Sequence, residues 1–212
     1  MLNQKNIIPS PESQLLEEIL VVHKNKLFAH RTAWFGIETN NIDEIIAAIQ
    51  SDIFFMPRCH AETNFLYKQI IPYVIYSYDK KLFMMQRKST ASEQRLANKF
   101  SLGIGGHINQ KDIIKNDIIS WASREFQEEV SYHGTQNIQI LGILNDDTTD
   151  VGQVHLGIIL LLHGSSEKIS IKSEHKNGVL LSLNECQKLY PNMENWSKIC
   201  FDFILQNPQL LN

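Results

Sequence analysis

An α/β (α+β) layered architecture around a mixed β-sheet is what the sequence predicts, and three observations carry the prediction. Runs of β-branched and aromatic residues recur along the chain, as in Ile70 to Tyr78 and Val154 to Leu162. At least two other stretches, from Asn41 and from Asp117, change to the 3.6-residue period of an amphipathic helix. Turn-forming or acidic residues separate these segments, so strands and helices alternate instead of clustering by type.

The elements follow in order. Ile19 to Val22 and Lys26 to Phe28 flank a polar break at His23–Asn25 and read as a short hairpin. Asn41 is placed to cap a helix running through Gln50, which buries Ile42, Ile45, Ile46 and Ile49. Ile70 to Tyr78 is broken at Asp79-Lys80 and resumes as Lys81 to Arg87, the pattern of two strands joined by a tight turn. Ser89 to Lys99 is polar and reads as a loop, and Ser101 to Ile108 alternates small and apolar residues like the end of a strand. From Asp117 onward Ile118, Ile119, Ala122, Phe126 and Val130 sit near helical spacing. Strands are expected at Ile138 to Leu144, Val154 to Leu162 and Val179 to Ser182, and a last helix at Glu194 to Leu205. Residues 1–65 read as an N-terminal extension packed on a core domain of residues 66–212.

A chain of 212 residues fits one domain with an appendage, and no repeat is visible. Hydrophobic residues at 43% and charged residues at 20% exclude a disordered or collagen-like chain. The balance of 20 basic against 23 acidic residues, −3 in all, gives no general attraction to nucleic acid or to a membrane surface. Cys59, Cys186 and Cys200 form no C-x-x-C pair, which points away from a disulfide framework or a zinc site and toward reduced thiols. Acidic residues interrupt the first 22 residues where an export signal needs an apolar run, and the longest apolar run, Leu156 to Leu162, is too short to span a bilayer. A cytoplasmic location is expected.

The chemistry concentrates in Gly103 to Val130. Glu125, Glu128 and Glu129 stand at i, i+3 and i+4, so they share one helical face about a turn apart. Like charges this close destabilise an isolated helix, whereas hard divalent cations take such oxygen ligands. Arg124 is adjacent and can orient a carboxylate through its forked guanidinium. Upstream, Gly105 and Gly106 allow a close backbone approach, the floor of a pocket facing the carboxylate helix.

These residues resemble the Nudix hydrolases, whose box reads G-x5-E-x7-R-E-U-x-E-E-x-G-U with U a bulky aliphatic residue. Arg124-Glu125-Phe126-Gln127-Glu128-Glu129-Val130 matches its second half and Gly105-Gly106-His107-Ile108 its glycine-rich opening. Phe55–Glu62, Lys68–Ile75 and Leu141–Gly157 resemble a group of Nudix proteins described as predicted phosphoesterases, and the likeness covers about residues 18–206. The chain also departs from the box. Arg124 follows Gly106 by 18 positions where the pattern sets 14, and Asn116 occupies the first glutamate position, for which Asp112 and Asp117 are the candidate substitutes. Ser131 replaces the second glycine, which leaves Gly134 as the nearest candidate for a left-handed helix cap.

The resemblance implies an α/β/α sandwich in which Glu125, Glu128, Glu129 and the Gly105 carbonyl bind Mg²⁺ or Mn²⁺, and in which water cleaves a diphosphate linkage in a nucleoside diphosphate derivative or a related small molecule. Glu125, Glu128, Glu129 and Arg124 are the expected catalytic residues. Arg87, Lys88 and Arg95, with Lys99, form a basic cluster suited to a phosphate rim, and His107 and Asp147 are further expected substrate contacts. Asp146, Asp147 and Asp150 are candidates for an acid from outside the box. His155 reads as a half-buried structural histidine, and Trp34, Trp121 and Trp196 as core or interface residues, with base stacking open to Trp34. A homodimer through the extension or a sheet edge is expected. Two other readings are a Nudix-fold module that binds without turnover and an isopentenyl diphosphate isomerase-like enzyme, for which Cys59 is the one cysteine early enough in the chain.

Overall fold

The computed structural model describes residues 16–87, 99–115, 117–172 and 177–212. It opens with strand β1 (Glu18–His23), whose Ile19 to Val22 are all buried. The expected hairpin does not follow. His23 Nδ1 accepts from the Asn25 amide at 3.1 Å and starts a one-turn helix, α1 (Lys24–Leu27), so the chain coils where a second strand was anticipated. Next come β2 (Gly36–Glu38), α2 (Ile42–Ser51), β3 (Phe54–Pro57) and α3 (Arg58–Ala61). Helix α2 starts after Asn41 as expected, but the Asn41 side chain makes no capping hydrogen bond, and of the four isoleucines Ile45 and Ile49 are buried while Ile42 and Ile46 are half-buried.

Strands β4 (Tyr67–Tyr78) and β5 (Lys81–Gln86) form the anticipated hairpin. Asp79 and Lys80 adopt φ 48° and 60°, two successive left-handed residues whose twist matches the flanking strands. There follow β6 (Phe100–Ser101), β7 (Gly103–Gly105), a 3₁₀ turn at Gln110–Lys115, α4 (Ile118–Glu129), β8 (Val130–Tyr132), β9 (Gln136–Asn145), α5 (Asp150–Val154) and β10 (His155–Gly164). The chain ends with β11 (Ile169–Ile171), β12 (Asn177–Leu181), α6 (Leu183–Leu189) and α7 (Asn195–Gln206).

Ten of these strands make one mixed sheet, in the order β12-β5-β4-β10-β9-β2 with β1, β3, β6 and β7 joined at its side. Strand β4 is its spine. One edge runs parallel to β10, while the other pairs antiparallel with β1 at Tyr67–Gln69, with β7 at Tyr73–Ile75 and with β5 at Ser77–Tyr78. Pro72, which has no N–H to donate, falls where that edge changes partner from β1 to β7. Beyond β7 the chain leaves β4 and reaches β1, where the Leu20 amide donates to the Ile108 carbonyl at 2.7 Å.

Alternation along β4 and β10 sends successive residues to two separate cores. Ile70, Val74, Ile158 and Leu160 pack with Trp121, Ala122 and Phe126 of α4 and with Ile45 and Ile49 of α2. Ile75, Ile159 and Leu161 pack with Cys200, Phe201 and Ile204 of α7. The result is an α/β/α sandwich. The N-terminal segment is built into it, since β1 pairs with β4 and β2 lies against β9. Cys59, Cys186 and Cys200 are free thiols, the last two buried. Among the described residues no helix is long and apolar enough to cross a membrane.

Candidate active site

Helix α4 begins where Asp117 accepts hydrogen bonds from the Ile119 and Ser120 amides, satisfying two donors that a helix start leaves open. Its buried stripe is Ile118, Trp121, Ala122, Glu125 and Phe126. Glu125 thus occupies an apolar position, one turn beyond Trp121, and is 8% exposed. The helix passes directly into β8 at Val130, which is extended, so the left-handed cap expected at Gly134 is absent. Gly134 has another use: a Cβ there would stand 2.1 Å from the Tyr132 hydroxyl.

Arg124 organises the carboxylates. Its Nη2 donates to Glu125 Oε1 at 2.7 Å, to Asp112 Oδ2 at 2.9 Å and to the His107 carbonyl at 3.3 Å, while Nη1 donates to Glu128 Oε2 at 2.9 Å. Asp112 also accepts from the Asn109 amide, and its carbonyl accepts from Trp121 Nε1, so the longer loop of this chain is tied to the helix at two points. Of the two replacements considered for the missing box glutamate, Asp112 reaches Arg124 and Asp117 caps the helix. Position 116 itself lies outside the described residues.

The glycines have a measurable reason. A Cβ on Gly106 would fall 2.1 Å from Glu125 Oε2, so the carboxylate rests against bare backbone, and a Cβ on Gly105 would come within 3.0 Å of the Pro72 carbonyl. Burial in this seat pushes the Glu125 carboxyl up to about 7, with Arg124 opposing the shift and Glu128 adding to it. Glu128 is exposed and Glu129 half-buried.

The remaining expected residues are placed as follows. Arg87 follows β5 and donates from Nε to Glu194 Oε1 at 2.5 Å, with Glu129 close enough to favour its charge. Lys88 and Arg95 lie outside the described residues. His107 turns its ring away from the helix carboxylates, with Nε2 2.8 Å from Gln69 Oε1 and the ring centroid 5.8 Å from that of His155. Asp147 is held by Lys68 Nζ at 2.7 Å and by Asn145, and Asp146 accepts from Thr148 and Asn195. Asp150 opens α5, whose cap is Thr149. Trp34 donates to the Gly36 and Ile143 carbonyls, Trp121 is core, and Trp196 stands edge-on to Tyr73. Sequence reasoning missed Glu194, a buried carboxylate just before α7, although an acid preceding a helical pattern is a visible signal.

A glycine-floored strand end, a carboxylate helix and an arginine binding both together define a sandwich of the Nudix type. Similarity to known proteins agrees. No family model matches the chain. Over 205 residues it is 32% identical to protein YmaB of Bacillus subtilis (strain 168), across 89% of this chain and 97% of that protein. The crystal structure of Tm1382, described as a candidate Nudix hydrolase, is 30% identical and superposes with a TM-score of 0.77, covering 90% of this chain and 99% of that one. The chain belongs to the Nudix hydrolase superfamily, a class of pyrophosphohydrolases. The Nudix domain of Shewanella oneidensis NrtR, solved with ADP ribose, shares the fold at 13% identity and a TM-score of 0.52, covering 68% of this chain and 89% of that one.

Proposed function

We propose that the chain is a divalent-metal-dependent hydrolase that cleaves a diphosphate linkage in a nucleoside diphosphate derivative or a related small molecule. The observation that carries this reading is the seat of Glu125: a carboxylate at a core position, pressed on Gly106, with Arg124 drawing Glu128 alongside. Glu125, Glu128, Glu129 and the Gly105 carbonyl are the residues that would hold Mg²⁺ or Mn²⁺. The donors are hard oxygens of the kind these ions take, and the single guanidinium of Arg124 is shared by Glu125, Glu128 and Asp112. When bound, such an ion offsets diphosphate charge and makes water a stronger nucleophile at neutral pH.

The chain's own groups supply the rest. Arg124 fixes the spacing of Glu125 and Glu128 and, through the His107 carbonyl, their position relative to the glycine floor. Arg87, half-buried and flanked by Glu194 and Glu129, offers its guanidinium to a phosphate oxygen, with Lys88 and Arg95 following it in sequence. Glu128 is the helix carboxylate most open to solvent and is the candidate to take a proton from attacking water.

The test is product release from a panel of diphosphate compounds with Mg²⁺, with Mn²⁺ and with chelator, using the native protein and Glu128→Gln. Turnover that needs the metal and is lost in the variant supports the reading. Turnover that survives chelator, or is equal in both proteins, overturns it.

A further inference from the structure

Away from the helix carboxylates, Glu62, His107 and His155 bring one donor atom each to within 4.8 Å of one another. They come from three parts of the fold: Glu62 follows α3 in the N-terminal segment, His107 lies two residues past β7, and His155 opens β10. No local turn requires residues so distant in sequence to meet. Parity along β10 puts His155 on the α7 face with Ile159 and Leu161, and its ring stands edge-on to Trp196 at 6.5 Å. Glu125 lies on the buried stripe of α4, whose Trp121, Ala122 and Phe126 pack in the other core, so the two groups of side chains are separate.

Both imidazoles are oriented by outer partners. The Val151 carbonyl, which can only accept, lies 2.7 Å from His155 Nδ1, so that nitrogen carries the proton and Nε2 the lone pair. Gln69 Oε1 accepts from His107 Nε2, leaving the lone pair on Nδ1. Metal-binding histidines are fixed in this manner. Gln69 is 1% exposed, sits in register with His155, and its buried Nε2 has no hydrogen-bond partner, a group that a water completing a coordination shell would satisfy. The charged neighbour is Arg58, whose Nε lies 3.1 Å from Glu62 Oε1; both side chains are partly exposed, so Arg58 can release Glu62 to an incoming cation.

We propose that Glu62, His107 and His155 form a second metal site, for a transition-metal dication of the Zn²⁺ class, apart from the oxygen-only site on α4. Two imidazoles and one carboxylate make an N₂O set that suits zinc, whereas magnesium prefers oxygen. Tetrahedral bonds of about 2.0–2.2 Å space their donors by about 3.4 Å, so binding draws the three side chains together by an ångström or so. The ion pins the N-terminal segment to the core beside Gly106 and braces His107, whose carbonyl accepts from Arg124.

The test uses the full chain stripped with chelator and kept in excess Mg²⁺, with Co²⁺ as a coloured substitute for Zn²⁺. One equivalent of Co²⁺ should give visible ligand-field bands that Zn²⁺ abolishes. The bands persist in Glu128→Gln, disappear in His155→Gln, and in Glu62→Gln need at least about 10–100-fold more Co²⁺. Glu62 is partly exposed, so that variant decides the matter if His155→Gln fails to fold by circular dichroism. Absence of bands in the native protein, their survival at one equivalent of Co²⁺ in Glu62→Gln, their loss in Glu128→Gln, or a thiolate-to-cobalt charge-transfer band from Cys59 overturns the proposal.

Discussion

Glu125 and Asp147 are both carboxylates beside a cation in the same sandwich, yet their titrations move in opposite directions. Burial pushes Glu125 up to about 7 despite Arg124, because that guanidinium is divided among Asp112, Glu125, Glu128 and a carbonyl. Burial also works against the charge of Asp147, but the hydrogen bond and charge of Lys68, with a further bond from Asn145, hold it below the ordinary carboxylate value. Lys68 is 0% exposed and also donates to the Gly152 carbonyl at 2.6 Å. The acidic loop therefore uses its charge to seat a buried lysine, whereas the helix gathers more negative charge than its arginine neutralises. A buried acid is a candidate for chemistry when its neighbours leave that imbalance.

Four substitutions break or sharpen this contrast, the largest effect first. Glu128→Gln should lower kcat by on the order of 10³-fold, about 4 kcal/mol, while the thermal midpoint stays nearly constant, because the side chain is 57% exposed. Steady-state kinetics beside a melting curve checks both halves, and equal activity would overturn the proposed function. Asp147→Ala should do the reverse. It strands Lys68, and the cost should be about 2–3 kcal/mol, below the about 3–5 of a fully buried pair because Asp147 is 40% exposed. Its kcat should be unchanged.

That second effect depends on pH with a definite sign. Because the folded pKa of Asp147 is depressed, its contribution is present above the unfolded value of about 4 and is lost as pH falls through the folded one. The gap in denaturant midpoint between native and variant proteins should be wide at pH 7 and narrow on acidification. A gap that widened toward acid would refute the ion-pair account.

Gly106→Ala should displace the flexible end of Glu125 without unfolding the chain, lowering kcat about 10–100-fold. Asp112→Asn, the mildest, removes one of the charges on Arg124 and should cost about tenfold in activity, read as a kcat change with KM nearly constant. If Asp112→Asn proved as damaging as Glu128→Gln, Asp112 would belong among the groups that bind the ion.

Much of this was legible in the chain itself. The β4–β5 hairpin, helix α4 with its Asp117 start, and the grouping of Arg124, Glu125, Glu128 and Glu129 follow from periodicity and turn chemistry, which act over a few residues and need no partner. The short elements β2, β3, β8, β11, α5 and α6 were not anticipated, because a segment of three to seven residues displays too little of any period. The first hairpin misread His23, whose side chain closes a helical turn that composition does not reveal. What only the tertiary structure decided are the long-range pairings: Asp112 with Arg124, Asp147 with Lys68, Arg87 with Glu194, and the meeting of Glu62, His107 and His155. Each depends on which strands lie side by side and which face a residue takes once β4 has changed partner at Pro72. Local sequence sets the period of an element, while the neighbours of a charged group, and hence its chemistry, are set by how those elements stack.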